Sequence, residues 1–420
     1  MIASKEEQIN QEIKNRFAKL QNAGHLVDLM NYVCDQCLYP TDDNADKPKA
    51  TIKPIELKTV TYYANSQLSA DKIYKEFTIK KKSGGERTIT APIKHLKLIQ
   101  RTLNVILGAI YEPKNYVTGF VPHKSIVDNA KAHVNKNYVY NIDLVNFFPS
   151  IELHRIKAVL KLEPFSLNSV EREKIAFLIA RLCCKDGRLP QGSPTSPVLS
   201  NIVCQQLDRR LNGLAKSANC RFTRYADDIT FSANKDVFNQ KFKTELERII
   251  KEQHFAINKK KTRLQGLGYR QEVTGLIVNE KVNVTKRYMG EVRAMLHNWG
   301  KSYEAAEQRF LKAYIPAKGH VKKGTPNFKN VLWGKLQFMS MVRGKDDALV
   351  MKYIGEYKRL DSEFTSKSVP LIWKDIEPLE PLDDVLEKFE GNILDKLEKL
   401  LSIWREDGFD AAITTNSNEY

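Results

Sequence analysis

Apolar and polar positions along this chain alternate between two rhythms, one of helices and one of strands. Leu20, Leu26, Leu29 and Met30 fit a packed helix face near the start, and Pro40 to Pro54 reads as a loop. Residues 61–92 read as a basic β-hairpin, with Ser83-Gly84-Gly85 between two alternating strands and Pro92 as the stop. A helix follows with Leu96, Ile99, Leu103, Ile106 and Ile110 on one face, a core stripe rather than a cofactor box. Residues 122–136 predict another helix, and Tyr138 to Leu144 a strand. Residues 151–183 are mostly helical, Gly187 to Pro197 is a Gly/Pro-rich loop, and a helix runs from about Val198 to Leu214. Arg221 to Ser232 then reads as strand–turn–strand, with Asp227 and Asp228 at the turn. After it come an amphipathic helix over 238–253, short strands over 255–284 and a helical bundle over 286–360. A linker, Pro370 to Pro381, leads to an acidic amphipathic helix over 383–404, and no internal repeat is evident.

Length and composition narrow the class. The chain has 420 residues, 42% of them hydrophobic, enough for two or three domains with their own cores. No apolar run approaches membrane-spanning length, and Met1 to Glu7 lacks the apolar core of a signal peptide. A cytoplasmic protein without a membrane partner is expected. Six cysteines make no disulfide framework in a chain this long, and the lone Cys34–Cys37 pair lacks the second ligand pair of a zinc site. Reduced structural thiols are expected. Charge is uneven. Residues 361–420 carry six Lys/Arg against fifteen Asp/Glu, a net of −9; the whole chain is +17, so residues 1–360 carry +26. An excess of that size points to a polyanionic partner.

Three acids stand out against this basic body. Asp227 and Asp228 sit at the predicted turn, and Asp143 closes the strand that begins at Tyr138. An Asp at the end of a buried strand is costly unless paired or bound to metal. Alone, Asp143 reads as a capping or turn residue. With the other two it completes a two-metal site, because carboxylates on rigid strands are hard oxygen ligands suited to Mg²⁺. Two Mg²⁺ ions about 4 Å apart activate an attacking hydroxyl and stabilise a leaving pyrophosphate. Asp143, Asp227 and Asp228 are therefore the expected catalytic and metal-binding residues. Asp143 and Asp227 would hold both ions, and Asp228 would tune the site or bind metal transiently.

The order Asp143, then Gln191-Gly192-Ser193-Pro194-Thr195-Ser196-Pro197, then Tyr225-Ala226-Asp227-Asp228, then Asn258-Lys259-Lys260-Lys261-Thr262 resembles reverse transcriptases over roughly residues 60–300. The resemblance implies an α+β right-hand polymerase fold. Its parts would be an N-terminal helical region (1–60), fingers (61–136 with part of 151–190), a palm with the catalytic site (137–285), a helical RNA-binding thumb (286–360) and an acidic C-terminal helical extension (361–420). It also implies roles for nucleotide-binding residues. Arg87 would neutralise the incoming triphosphate, with Lys80, Lys81 and Lys82 either helping or forming a solvated strand end. Phe148 would pack under the deoxyribose and exclude a 2′-hydroxyl, while Phe147 fills the core. Gln191 and Gly192 would line the nucleotide site, and Lys261 would protonate pyrophosphate or contact phosphate.

Two further segments resemble the retron branch. Asn129-Ala130-Lys131-Ala132-His133 fits its NAxxH pattern, and Val273-Thr274-Gly275 its VTG motif. A second Val-Thr-Gly, at 117–119, lies upstream of the position that pattern calls for. Read without the family, Asn129 and His133 are one helical turn apart and fit a satisfied polar pair. The resemblance implies RNA binding by Asn129, His133, Val273, Thr274 and Gly275. The thumb would add Lys286, Arg287, Arg293, Lys301, Arg309 and Lys312, since basic helices can recognise duplex RNA by shape and phosphate. Trp299, Tyr303, Tyr314 and Trp333 are stacking candidates that also suit core packing.

A retron enzyme implies dNTP substrates and a cognate structured non-coding RNA, primed from a guanosine 2′-hydroxyl and copied into RNA-linked DNA. It implies an anti-phage role with a separate effector protein, and a host RNase H, since no such domain is visible here. The acidic tail would dock a protein partner or the basic thumb. The alternatives are another bacterial defence or intron-type reverse transcriptase, or a non-catalytic RNA-binding scaffold of the same fold.

Overall fold

The computed structural model describes residues 4–38, 53–65, 70–80, 84–318 and 326–368. Helix starts follow their caps. Ser4 and Glu7 form a reciprocal capping box at α1 (Lys5–Ala18), and Asn22 caps α2 (Ala23–Val33). A π-helical turn over Cys34–Leu38 follows. The predicted hairpin is shorter than 61–92, because α3 (Leu57–Ala64) and α4 (Ala70–Ile73) precede it. Its strands are β1 (Tyr74–Lys80) and β2 (Glu86–Pro92), antiparallel with Phe77 opposite Ile89. The apolar stripe of α5 (Lys94–Ile110) is buried as expected.

Residues 122–136 hold only a six-residue helix, α6 (Ile126–Lys131). Left-handed backbone at His123 and Asn135 bounds it, and a Ser125–Asp128 capping box starts it. After β3 (Tyr138–Asp143) come α7 (Leu153–Leu160) and α8 (Val170–Cys183). The single helix expected over 198–214 is two, α9 (Ser196–Val203) and α10 (Gln205–Ser217). They meet at Cys204, whose ψ of 0° leaves the helical region. The acidic hairpin is β4 (Arg221–Tyr225) and β5 (Asp228–Ala233). α11 (Gln240–Glu252), β6 (Arg263–Gln265), β7 (Glu272–Val273) and β8 (Leu276–Ile277) lead to four helices: α12 (Lys286–Lys301), α13 (Tyr303–Lys318), α14 (Phe328–Arg343) and α15 (Ala348–Ser368).

Four strands pair in the order β4-β5-β3-β6, every pair antiparallel. α10 packs on β4 and on α11. The register sets Asp143 opposite Asp228, which fixes two of the three acids on neighbouring strands. Two apolar cores result. The larger joins the N-terminal helices, α5, α7 to α11 and the sheet. The smaller joins α6, β7, β8 and the α12–α15 helices, with Val139 of β3 between them. Trp299 is buried in this second core against Tyr303, Phe328 and Tyr357, and Trp333 packs on Tyr357. All six cysteines are free, and among the described residues no helix is long and apolar enough to cross a membrane. Lys81, Lys82 and the helix expected over 383–404 lie outside the described residues.

Candidate active site

The acidic turn is made by a left-handed residue. Ala226, at φ 57°, reverses the chain between β4 and β5 and leaves Asp227 and Asp228 beside Asp143. The Leu144 N–H donates to the Asp227 carbonyl (3.2 Å), tying the turn to the end of β3. Asp143 is held from the other side by the Lys-Thr segment. Its main-chain carbonyl accepts from the Asn258 N–H (2.7 Å), its Oδ1 from Asn258 Nδ2 (2.9 Å) and its Oδ2 from Lys261 Nζ (2.8 Å). Asn258, quoted in the motif without a role, is thus a positioning residue for Asp143.

The electrostatics of the three acids are unbalanced. Burial raises the Asp227 carboxyl above the ordinary range, and Asp143 adds repulsion; Lys261 and Arg87 oppose the shift. Burial, then Asp227 and then Asp143, push Asp228 up to about 6. The Asp143 contact in turn raises Lys261. These shifts mark a cluster of negative charge short of a cation. Among the described residues no three acidic, histidine or cysteine side chains stand close enough to hold a metal ion as they are. Lys261 supplies the positive charge at Asp143 Oδ2. The donor set still fits a hard divalent cation, since all three residues offer carboxylate oxygen and in two of them burial, with repulsion from neighbouring carboxylates, disfavours the charged form.

Behind the turn lies a buried polar network that the sequence did not reveal. Arg224 and Asp208 are both fully buried and form a bidentate pair, Nε to Oδ1 at 2.6 Å and Nη2 to Oδ2 at 2.7 Å. Burial works against the Arg224 charge, but the Asp208 carboxylate outweighs it and holds the guanidinium protonated. The same guanidinium donates to Asn201 Oδ1 (3.1 Å) and to the carbonyl of Ala226 (3.1 Å), the turn residue itself. The upstream Val117-Thr118-Gly119 runs alongside β4, with a parallel bridge between Val117 and Arg224. A Cβ on Gly119 would stand 2.5 Å from the Ala226 nitrogen, so only glycine lets this segment support the turn so closely. Asn201 Nδ2 donates to the Gly119 carbonyl (2.9 Å). The upstream Val-Thr-Gly therefore underlies the acidic hairpin.

The other predicted residues are placed as follows. Arg87 is exposed on β2, opposite Ile79, and its charge reaches Asp227. Phe148 is half-buried, beside the buried Phe147 that stacks on Phe255. Phe120, unmarked by any motif, stands between Phe148 and Tyr225, with ring centroids 6.1 and 6.4 Å away, and completes an aromatic row at the site. The Gln191 carbonyl accepts from the Thr90 N–H (2.8 Å). A Cβ on Gly192 (φ 130°) would meet Ile89 and Thr90 at 2.8 Å, so its close approach is to the β1–β2 hairpin.

Asn129, His133 and Val273 require correction as RNA contacts, because all three are fully buried. Asn129 Oδ1 accepts from Thr118 Oγ1 (2.8 Å), and its Nδ2 has no partner among the described residues. His133 lies between two hydroxyls, Nδ1 to Ser232 Oγ and Nε2 to Thr223 Oγ1, both 2.7 Å. Burial, with Lys136 and Arg221, lowers its pKa to about 3, so it is neutral. Nor do Asn129 and His133 form a pair with each other. The two motifs instead meet in the second core, where Thr274 Oγ1 donates to the Ile126 carbonyl (3.3 Å) and Val273 clusters with Val127 and Ala130. Gly275 (φ 83°) and Thr274 (φ 48°) make the β7–β8 turn. Arg287 and Arg293 are exposed on α12, Arg287 paired with Glu291 at 3.2 Å.

Residues 79–290 match the family model described as reverse transcriptase (RNA-dependent DNA polymerase). The chain is 35% identical over 276 residues to the retron Ec86 reverse transcriptase of Escherichia coli, covering 64% of this chain and 82% of that protein. It is 35% identical over 265 residues to the retron Mx65 reverse transcriptase of Myxococcus xanthus, covering 58% of this chain and 60% of that protein. A solved telomerase from Candida albicans, in complex with a telomeric RNA fragment, aligns over 73% of this chain and 66% of its own at 12% identity and a TM-score of 0.40.

Proposed function

The chain belongs to the retron reverse transcriptases, RNA-directed DNA polymerases of the right-hand fold; from that premise we propose that it copies part of one structured non-coding RNA into DNA that stays attached to that RNA. The observation that carries the chemistry is the trio Asp143, Asp227 and Asp228, with Asp143 and Asp228 paired across neighbouring strands, Asp227 in the turn beside them, and Lys261 the cation hydrogen-bonded to the cluster. Reverse transcriptases use divalent metal ions, and we assign Mg²⁺, held by these carboxylates. When bound, the ions lower the pKa of the attacking hydroxyl and neutralise the leaving pyrophosphate. Asp143 and Asp227 are the principal ligands, and Asp228 tunes the charge between them. Lys261, hydrogen-bonded to Asp143 Oδ2, would contact the phosphates of the dNTP or protonate the pyrophosphate. Arg87 meets the triphosphate from the β1–β2 hairpin. Phe148, backed by Phe120, sets the sugar, and Gln191 and Gly192 hold the loop that closes the nucleotide site.

In this reading residues 1–60 are an N-terminal helical region, residues 61–136, with part of 151–190, form the fingers, residues 137–285 the palm, residues 286–360 an RNA-binding thumb and residues 361–420 an acidic extension. Arg287 and Arg293 with their basic neighbours on α12 and α13 face RNA phosphates. Priming from a guanosine 2′-hydroxyl, a cytoplasmic anti-phage role, a separate effector protein and template removal by a host RNase H complete the proposal by family likeness. Sequencing the nucleic acid that co-purifies with the protein tests it. A short DNA joined 2′–5′ to one small RNA is expected; random cellular RNA without DNA counts against it.

A further inference from the structure

The end of the β4–β5 ribbon remote from the catalytic turn opens into a separate cavity of about 510 Å³. Arg221 and Ser232, paired across the ribbon, lie four strand positions from Tyr225 and Asp228, on the order of 13 Å away. Four cations line this cavity, Lys136, Lys216, Arg221 and Lys235, and no Asp or Glu does. None of the four has an ion-pair partner among the described residues. Some cations elsewhere are matched, as Lys157 and Lys161 are by Glu173 and Arg248 by Glu245 and Glu252, while many exposed ones among the described residues are not; what sets these four apart is that they share one concavity. Four like charges around one concavity repel one another unless an anion enters.

The cavity is built rather than incidental. Its floor includes the buried Ser232, whose hydroxyl is fixed at 2.7 Å by His133, itself held by Thr223. The positive field of Lys136 and Arg221 extends inward to that histidine. The C-terminus of α10 points here, and the carbonyls of Leu214, Ala215 and Lys216 accept from the N–H groups of Ala218, Cys220 and Asn219, which weakens but does not cancel the negative helix end that the four cations must outweigh. Asn219 and Asn234 supply neutral donors at the rim, and the volume suits one nucleotide unit.

We infer that this pocket is a second nucleic-acid site, seating the phosphodiester backbone of a strand that passes behind the palm, with the buried His133 shaping its floor instead of touching RNA. The inference rests on the RNA-binding reading above. Its chemistry, phosphodiester recognition by clustered cations, is shared by template RNA and product DNA. The test uses the full chain with Lys136→Gln, Lys216→Gln, Arg221→Gln and Lys235→Gln combined. Its reference carries the same charge loss at exposed sites elsewhere, Lys5→Gln, Lys19→Gln, Lys114→Gln and Lys251→Gln. Binding of labelled single-stranded RNA and DNA of one sequence, about 20 nucleotides long, is measured between about 50 and 200 mM KCl. The pocket variant is expected to lose at least about tenfold in affinity at low salt and to flatten the log–log salt slope by roughly 2–3. The reference variant should flatten it by less than about 1. Loss with RNA alone identifies the RNA strand, and equal loss with both identifies the shared backbone. An unchanged slope, or equal flattening in the reference variant, overturns the inference. In extension of oligo(dT) on poly(rA) the pocket variant should show its loss as a raised template KM with kcat kept within about twofold, because the pocket binds nucleic acid while the acidic turn is at the other end of the ribbon. Loss of extension in the wild type would instead strike the polymerase reading, so the two failures are distinguishable.

Discussion

Asp208 and Asp228 lie on opposite sides of one hairpin, both withdrawn from water, and the protein treats them in opposite ways. Asp208 receives two hydrogen bonds from a guanidinium that is itself fully buried. Asp228 receives no such partner and is pushed up to about 6 by burial and by two neighbouring carboxylates. The supporting side is compensated and rigid, while the reacting side is left with surplus negative charge. Breaking a buried pair leaves a stranded charge and is strongly destabilising. A strained acid cluster, by contrast, gains when a cation arrives. Arg224 connects the two sides, because it neutralises Asp208 and also holds the carbonyl of Ala226, the residue before Asp227 and Asp228.

The largest effect should come from the reacting side. Asp227→Asn with Asp228→Asn is expected to lower DNA synthesis by roughly 10³-fold or more, about 4 kcal/mol of transition-state stabilisation, in a primer-extension assay. RNA affinity should stay nearly unchanged; a fully active double variant would sink the catalytic assignment. On the supporting side, Arg224→Met should cost about 3–5 kcal/mol in urea unfolding, because Asp208 is left buried and unpaired. Adding Asp208→Leu should restore most of that stability while DNA synthesis stays slow, since the Ala226 carbonyl still lacks its donor. Wild-type turnover in that double variant would show that the pair serves stability alone. Gly119→Ala presses a methyl group into the turn backbone and should cost about 1–3 kcal/mol with a fall in kcat.

The finest contrast is in pH. His133 is lowered to about 3 from 6.5, so between those values the unfolded chain binds the extra proton and stability rises with pH. Going from pH 7 to 5 should remove about 2 kcal/mol, a loss absent from His133→Gln. Asp228 is raised to about 6 from 3.8, so in metal-free protein the folded state binds the extra proton and stability falls as pH rises through that window. The same drop in pH should return about 1 kcal/mol, a gain absent from Asp228→Asn. Two variants with pH dependences of the same sign would refute the contrast.

The reacting side was legible in the linear chain because its signals are local. The β-formers around Asp227 and Asp228, the strand ending at Asp143 and the Pro-rich loop each announce themselves within a dozen residues. The supporting side was not. Arg224 reads as an ordinary strand cation, and charged residues are rarely buried without a partner. Its partners come from α9 and α10, and nothing near Arg224 names them. Asn129 and His133 misled for the same reason. Their partners, Thr118, Thr223 and Ser232, lie on other elements, so a pattern that suggests recognition was in fact internal wiring. The helix break at Cys204 also lacked a sequence signal, since neither Gly nor Pro stands there.

By itself the sequence determined the order of the catalytic motifs, the positions of three acids and the excess of positive charge over residues 1–360. Those follow from residue identity and short-range periodicity. Only the tertiary structure decided which polar groups face the substrate and which are sealed behind it, because that depends on strand register and on contacts between residues more than 100 positions apart, as between Thr118 and Arg224, 106 positions apart.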